Sequence, residues 1–171
     1  MIFRTDRLVL RPQEQGDAPA LFAILGDDEA MRFWSRPAFS HLTVVEALVA
    51  EQQTAAAGGL CRYWTVQEEG DPIGSVDLSL IKDTGAELGF LFRRDRWGHG
   101  LATEAVAAVV AGGFGPLRLR HLAAGVQAAN LAAIRVLEKT GFARIKQAEA
   151  RLAGGHLAPC AFYALTQKNV G

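Results

Sequence analysis

The sequence predicts a single α/β domain of the α+β kind, in which a mixed, mostly antiparallel twisted sheet carries helices on both faces. Between residues 61 and 92, apolar and polar residues alternate in runs joined by short turns, which predicts an antiparallel meander. A helix-like run follows Gly98 and Gly100, and the strand after it then needs a crossover to a parallel neighbour. The 171 residues, half of them hydrophobic, suffice for one core spanning 1–171.

The composition argues against several partners and locations. Basic and acidic residues balance at 18 each, so we expect neither a nucleic acid nor a membrane surface as partner. The N-terminus lacks the layout of a secretion signal, which favours a cytoplasmic protein. Cys61 and Cys160 lie in apolar runs and are expected to be buried thiols. The four histidines lack metal-site spacing, so no metal is expected.

The first third of the chain is predicted to hold one strand and three helices. In order, these are a strand over 2–10 and helices over 18–25, around 29–33 and over 43–57. Asp17 suits the start of the first helix, because a short acidic side chain can cap free amides, and Gly26 suits its end. Thr43 and Glu46 have the spacing of a capping box at the start of the third helix.

The remaining elements are mostly strands, interrupted by two helices. Strands are predicted over 61–68, 73–81, 87–92, 121–126, 142–148 and 160–166, and helices over about 101–113 and 130–140. In the second of these strands, Val76, Leu78 and Leu80 alternate with polar residues, as in a half-buried strand. Gly112–Gly113 each cost roughly 1 kcal/mol against alanine, so that helix is expected to fray at its end. Gly154–Gly155 are expected in the last loop.

The stretch from Arg96 to Ala105 carries the main functional signal. Gly98 and Gly100 allow backbone torsions closed to other residues and a close approach to a ligand. The first amides of the following helix have no partner within it, and their partial positive charge favours phosphate. The signal is modest by itself, because an ordinary strand-to-helix turn has the same form.

Three blocks, residues 86–92, 96–105 and 130–142, taken in order, resemble the acyl-CoA core of the GNAT superfamily of N-acyltransferases. They look most like its RimJ/RimL-type branch, and the opening residues 5–12 also resemble the start of that branch. The likeness covers about residues 3–166. It implies a single GNAT acetyltransferase domain that uses acetyl-CoA as co-substrate.

The resemblance implies that two central strands, those carrying Glu87 and His121, splay apart to admit acyl-CoA from one side and the amine from the other. The diphosphate would then lie on the glycine loop, and the pantetheine arm along the open strand backbone. The expected cofactor contacts are Phe90, Leu91, Phe92, Gly98, His99, Gly100, Leu101, Ala102, Thr103, Asn130 and Arg135. Asn130 is equally well a helix cap, and Arg135 equally well a solvated surface charge.

Glu87 is the predicted general base. A lysine-like amine with a pKa near 10.4 is neutral in roughly one molecule in 2,500 at pH 7, yet only the neutral amine attacks a thioester. A positioned carboxylate that takes the proton is worth on the order of 10² to 10⁴ in rate. Glu87 begins the strand beside the cleft, although a structural pair with a nearby Arg or Lys is an open alternative. Asp77, one strand over, is the alternate base.

No general acid is identified in the sequence. Leu137 and Ala133 stand where superfamily members often carry a tyrosine or serine that protonates the departing thiolate. Phe33 and Trp34 are predicted to contact the amine substrate, although such residues can simply cover the core. No acidic cluster indicates a polycationic substrate, so peptide or protein N-terminal α-amines and small-molecule amines both remain open.

The resemblance thus implies an acetyl-CoA-dependent N-acetyltransferase that works by direct attack, without a covalent enzyme intermediate. The missing acid leaves one alternative of another class, a non-catalytic acyl-CoA-binding or sensor module of the same fold. The expected partner is a small-molecule or peptide amine, and RimL-like relatives suggest a homodimer.

Overall fold

The computed structural model of the protein describes residues 1–152 and 155–167. Their strands form one eight-stranded sheet in the order β1-β2-β3-β4-β5-β6-β8-β7. The strands are β1 (Phe3–Arg4), β2 (Leu8–Pro12), β3 (Arg62–Glu68), β4 (Asp71–Lys82), β5 (Gly85–Phe92), β6 (His121–Gln127), β7 (Ala143–Arg151) and β8 (Leu157–Thr166). The helices are α1 (Ala18–Leu25), α2 (Asp28–Met31), α3 (Leu42–Ala57), α4 (Leu101–Phe114) and α5 (Leu131–Lys139).

Two hydrophobic cores lie on opposite faces of this sheet. Phe92 belongs to the core under α4 and α5, whereas its neighbour Leu91 packs against the core between α1 and α3. Successive strand residues point to opposite faces, so the two helix layers flank the sheet, as the sequence predicts. Strand β5 pairs with β6 in parallel and with β4 antiparallel, which confirms both the meander and the crossover.

The central strands separate after a short ladder. Pairing between β5 and β6 joins Gly85–Glu87 to His121–Ala123 and goes no further. Beyond it, β5 stays paired with β4 and β6 with β8. The sheet therefore opens into a cleft, which confirms the splayed central pair. The N-terminus of α4 follows the end of β5 after a short loop, so the glycine stretch lies close to this opening.

Two predicted helix caps are wrong, because other contacts take over. The carboxylate of Asp17 is buried and does not cap α1; it accepts hydrogen bonds from Arg11 (2.6 Å) and Thr65 (2.7 Å). Burial opposes its ionisation, but the Arg11 guanidinium and further hydrogen bonds outweigh burial and lower the pKa of Asp17. Thr43 lies inside α3, which begins at Leu42 with His41 as its N-cap.

The predicted end of α4 is confirmed, and the expected fraying there stays a prediction. The helix continues through Gly112 and Gly113 to Phe114, and all three residues are buried. A Cβ at Gly112 would collide with the ring of Phe3, which in turn lies 5.4 Å from the ring of Trp64. The glycine is thus the seat of an aromatic side chain from β1, and this packing offsets its poor helix propensity.

Smaller features complete the comparison with the sequence. The predicted strand over 2–10 is two strands, β1 and β2, which pair with each other. Leu80 is 69% exposed, at an irregularity of the β4–β5 register, so its predicted burial is wrong. Cys61 and Cys160 are buried free thiols, as expected. Gly154 lies outside the described residues. Within the described ranges, no helix is both long and apolar enough to cross a membrane.

Candidate active site

The glycine loop presents bare main-chain donors at the start of α4. Gly98 and Gly100 both have left-handed torsions, with φ of +81° and +77°. Gly100 is the N-cap of α4, and no side chain caps the helix there. The first intrahelical bond recorded for this turn runs from the amide of Glu104 to the Gly100 carbonyl, at 3.1 Å. The amides of Leu101, Ala102 and Thr103 therefore have no helical acceptor, and this is the geometry that an anion needs.

A network from the N-terminal strands braces this loop. Glu104, in the first turn of α4, accepts hydrogen bonds from Thr5 Oγ1 at 2.6 Å and from Arg7 Nε at 2.7 Å. Arg7 Nη1 also donates to the His99 carbonyl at 3.0 Å. Burial opposes ionisation of Glu104, but its bonds to Thr5 and Arg7 prevail and lower its pKa. The opening motif thus supports the loop, a role that its sequence could not reveal.

Trp97 fixes the start of the loop. Its indole nitrogen donates to the carbonyl of Phe92 at 2.8 Å, which joins the loop to the end of β5. The ring remains 43% exposed. The tryptophan therefore acts here as a structural tie, and the anion seat itself is left to the glycines and the amides that follow.

The charged groups near the loop are mostly neutralised. Arg93 pairs with Asp71 at 2.8 Å, and Arg94 pairs with Asp27 at 3.3 Å. His99 and Arg135 have exposed side chains. A phosphate placed at this site would therefore meet mainly main-chain donors.

At the open edge of β5, the main-chain N–H and C=O of Phe90 have no partner strand. The Arg93 amide donates to Ile73 of β4 at 2.8 Å, and strand alternation then turns the peptide group of Leu91 toward β4 as well. Those of Phe90 and Phe92 face the opening, where the Phe92 carbonyl already accepts from Trp97. Phe90 is therefore best placed to pair with an extended ligand.

Across the opening, the helix after β6 begins at Asn130. The Asn130 Oδ1 atom accepts from the Ala133 amide at 3.1 Å, so the residue is a helix cap as expected. Its side-chain amide nitrogen makes no hydrogen bond to the described residues. Leu137 is fully buried in the core. This agrees with the absence of an acid at that position.

A cavity of about 240 Å³ lies on the α1–α3 face of the sheet. Its lining is Gln13, Leu21, Leu25, Met31, Trp34, Ser35, Arg36, Phe39, Leu48, Gln52, Tyr63, Ser75, Asp77, Phe90 and Leu91. Trp34 is thus part of its wall, and its contact with a substrate stays a prediction. Phe33 does not line it; the Phe33 carbonyl accepts from Gln127 at 3.0 Å, which ties the segment after α2 to β6.

Asp77 is the carboxylate of this cavity. It pairs with Gly89 across the β4–β5 ladder, and a Cβ at Gly89 would lie 2.5 Å from Asp77 Oδ1, so the glycine makes room for the carboxylate. Gly89 is two residues past Glu87, the last β5 residue paired with β6. Burial raises the pKa of Asp77 to about 7, with a further rise from the charge of Glu87 and a partial offset from Ser79.

Glu87, the predicted base, has an exposed side chain and does not line the cavity. It lies opposite Ser79, whose hydroxyl donates to the Glu87 carbonyl at 3.5 Å. The geometry therefore favours the alternate, Asp77, as the group that meets an amine. In residues 1–152 and 155–167, no cluster of His, Cys, Asp and Glu is arranged to hold a metal ion.

A split sheet, free main-chain amides near its opening and a half-buried carboxylate in a cavity on one face are the features of an acyl-CoA-dependent acyltransferase fold. Residues 7–143 match the family described as the acetyltransferase (GNAT) domain, and the chain belongs to this family. The uncharacterised N-acetyltransferase YoaA of Bacillus subtilis is 31% identical over an alignment of 150 residues, and the alignment covers 82% of this chain and 82% of YoaA.

Solved structures support the same fold. RimJ of Mycobacterium smegmatis, in complex with CoA-disulfide, has a TM-score of 0.86 at 21% identity, over 95% of this chain and 83% of its own. Spermidine N-acetyltransferase of Vibrio cholerae, with CoA and spermine, has a TM-score of 0.85 at 20% identity, over 96% of this chain and 98% of its own. The family match confirms the predicted GNAT resemblance, and RimJ is among the proteins that share the fold.

Proposed function

We propose that the protein transfers an acetyl group from acetyl-CoA to a primary amine by direct attack, with Asp77 as the proton acceptor. The observation that carries this proposal is the Asp77 carboxylate, with its pKa raised to about 7, in a cavity beside the point where the sheet opens. A base is most effective when its pKa lies near the working pH.

The residues present fit the cofactor. The amides from Gly98 to Thr103 would hold the diphosphate, since the left-handed glycines keep side chains away from it. The free peptide group of Phe90 and the side-chain amide of Asn130 would pair with the pantetheine arm. When bound, acetyl-CoA supplies an acetyl group that is already activated as a thioester.

The chain's own part in the reaction is to orient the amine and take its proton. With a pKa near 7, a large fraction of Asp77 is ionised at neutral pH and accepts a proton from the ammonium. The freed nitrogen attacks the thioester carbonyl, the C–N bond forms, and the C–S bond breaks. After attack the nitrogen still has one proton to lose. Because Leu137 is buried and Ala133 has no proton to give or relay, this proton passes through water to the departing thiolate.

Substitution of the two carboxylates tests which one is the base. Asp77→Asn is expected to lower kcat/KM for the amine by about 10² or more, while CoA affinity by calorimetry stays unchanged. Glu87→Gln is expected to lower kcat/KM for the amine less than Asp77→Asn does, because Glu87 lies outside the cavity. Asp83→Asn is the matched control, since Asp83 is exposed just after β4 and asparagine tolerates its left-handed torsion (φ +53°). A reversed order of the two effects would restore Glu87 as the base.

The non-catalytic acyl-CoA module stays as a second candidate, because no side chain at the acid position can donate a proton. Thiol release from acetyl-CoA, measured with peptide, amino-acid and polyamine acceptors, separates the two. Binding of CoA at the glycine loop with no release above the rate without amine, for every acceptor, would favour the module.

A further inference from the structure

The cavity beside Asp77 is bounded by a row of polar side chains that crosses three strands. Tyr63 pairs with Asp77 in the β3–β4 register, and the Gln13 amide donates to the Tyr63 carbonyl at 3.0 Å, just beyond the end of β2. All three residues line the cavity. Neighbouring strands are about 4.8 Å apart, so Gln13 and Asp77 lie on the order of 10 Å apart along this row.

Gln13 has an acceptor that the described protein leaves without a partner. Its side-chain nitrogen donates to Gln52 Oε1 at 2.8 Å, which holds the amide in place. Its Oε1 atom is buried and makes no hydrogen bond to any described residue. Gln13 as a whole is also buried, at 8% exposure. A buried acceptor of this kind is costly unless a ligand or water supplies a donor.

The charges of the lining limit what this donor can be. Asp77 is the one carboxylate among the lining residues, and Arg36, the one cation, is exposed with its guanidinium 5.2 Å from the centre of the Phe39 ring. A second ammonium would therefore meet a neutral amide and a nearby positive charge, and it would lose its hydration. An uncharged N–H group loses much less hydration free energy when it enters the cavity.

Beside this polar row, most of the lining is apolar. The apolar residues include Leu21, Leu25, Met31, Phe39, Leu48 and Leu91. The volume of about 240 Å³ is below the usual range of roughly 300–1,000 Å³ for ligand pockets. A small apolar group fits this space better than a long polar chain does.

We infer that the acceptor is an apolar monoamine that also carries an uncharged amide N–H, and that Gln13 selects it by accepting that N–H. This inference rests on the proposed function. The same chemistry occurs in the amide of an apolar amino acid and at the amino terminus of a peptide with an apolar first residue. A polyamine is disfavoured.

The test compares acceptors that share one apolar body. Leucinamide and the peptide amide Leu-Ala-Ala-NH₂ carry the amide donor, 3-methylbutylamine lacks it, and spermidine replaces it with charge. We expect kcat/KM, calculated on the concentration of the neutral amine, to be at least tenfold higher for one of the two amides than for 3-methylbutylamine, with spermidine the poorest acceptor. Whichever of the two amides is preferred identifies the source, a small molecule or a peptide terminus.

Gln13→Met keeps the size of the side chain and removes the acceptor. It is expected to abolish the preference for amides while the KM for acetyl-CoA stays unchanged. Gln147→Met, on the exposed face of β7, is the matched control and should keep the preference. A Gln13→Met protein that melts like the parent and still prefers amides would overturn the inference.

Gln13→Glu gives a second and independent outcome. It places a carboxylate two strands from Asp77, so the ratio of kcat/KM for 1,5-diaminopentane over pentylamine should rise several-fold. An unchanged ratio, or a parent protein that prefers spermidine, would contradict the inference. Absence of thiol release with every amine would instead count against the proposed transferase itself, so the two failures are distinguishable.

Discussion

The two sides of the cleft present different chemical groups, main-chain amides on one side and side chains on the other. On the proposed cofactor side, the donors are peptide amides that follow one another from Gly98 to Thr103, and side chains mainly hold the loop in place. On the proposed amine side, the cavity is lined by side chains from α1, α2, α3, β3, β4, β5 and the segments after β2 and α2. A main-chain seat tolerates many sequences as long as the glycines remain, whereas a side-chain cavity changes its ligand with each substitution. The comparison explains why the cofactor is easier to identify from sequence than the amine.

The largest expected effect is on the amine side, in the pH profile of Asp77. With the pKa of Asp77 raised to about 7, kcat/KM for the amine should fall about tenfold per pH unit below pH 7 as the carboxylate is protonated. In Asp77→Asn the fall should instead begin at the pKa of the amine itself, because without the base the rate follows the neutral fraction of the amine. A profile of the parent protein that stays level down to about pH 5 would remove Asp77 from the reaction.

The raised pKa of Asp77 also predicts the direction in which the stability of the fold changes with pH. The folded-state pKa of Asp77 lies above its ordinary value of 3.8, so its stabilising contribution is full below about pH 3.8 and is lost as the pH rises through about 7. Asp77→Asn should therefore melt at a higher temperature than the parent at pH 8, and the difference should shrink toward pH 4. Differential scanning calorimetry at the two pH values checks this.

The second effect is on the cofactor side, at the left-handed glycines. Gly100→Ala forces a residue with a Cβ into φ of +77°, at a cost of about 1–2 kcal/mol, so CoA affinity should fall roughly tenfold. Gly16→Ala is the control, because Gly16 has no positive φ and open space around its Cα. Calorimetric titration with CoA measures both. Equal affinity of the two variants would show that the loop does not hold the diphosphate.

A smaller effect is expected from the braces of the loop. Arg7→Met removes the bonds to Glu104 and to the His99 carbonyl, so the KM for acetyl-CoA should rise several-fold while kcat stays nearly constant. Arg4→Met is the control, since Arg4 is exposed on β1. Because Arg7→Lys retains one charged donor, it should restore part of the affinity. A fall in kcat with unchanged KM would instead place Arg7 in another role.

The smallest effect separates main-chain from side-chain recognition. His99→Ala removes an exposed ring and leaves the carbonyl that Arg7 binds, so CoA affinity should change by no more than about twofold at pH 7. A tenfold loss would mean that the imidazole contributes charge to the phosphates, and the contrast between the two sides would then be less sharp.

Much of the fold can be predicted from the sequence, because its strands and helices carry clear periodicities. The errors arise where distant residues override local rules. Asp17 looks like a helix cap, but Arg11 and Thr65 take its carboxylate. Local rules also do not explain Gly112 in α4, where the Phe3 ring needs the space.

The candidate site follows the same division. The glycine loop is predictable because its donors lie in one continuous stretch. The preference for Asp77 over Glu87 as the base cannot be predicted from the sequence. It depends on the register of β4 against β5 and on the space above Gly89. Gln13 has no local signal at all, since its unpartnered oxygen becomes visible once β2, β3 and α3 are assembled.

The contacts of Phe3, Thr5 and Arg7 with α4 have a consequence for the order of events during synthesis. The ribosome makes these residues first and releases α4 only after most of the sheet has been translated. Closing so long a loop carries an entropic cost, which makes such contacts late and slow. We therefore expect a nascent chain to become able to bind CoA only after α4 has emerged from the ribosome. The N-terminal residues can then pack against this helix.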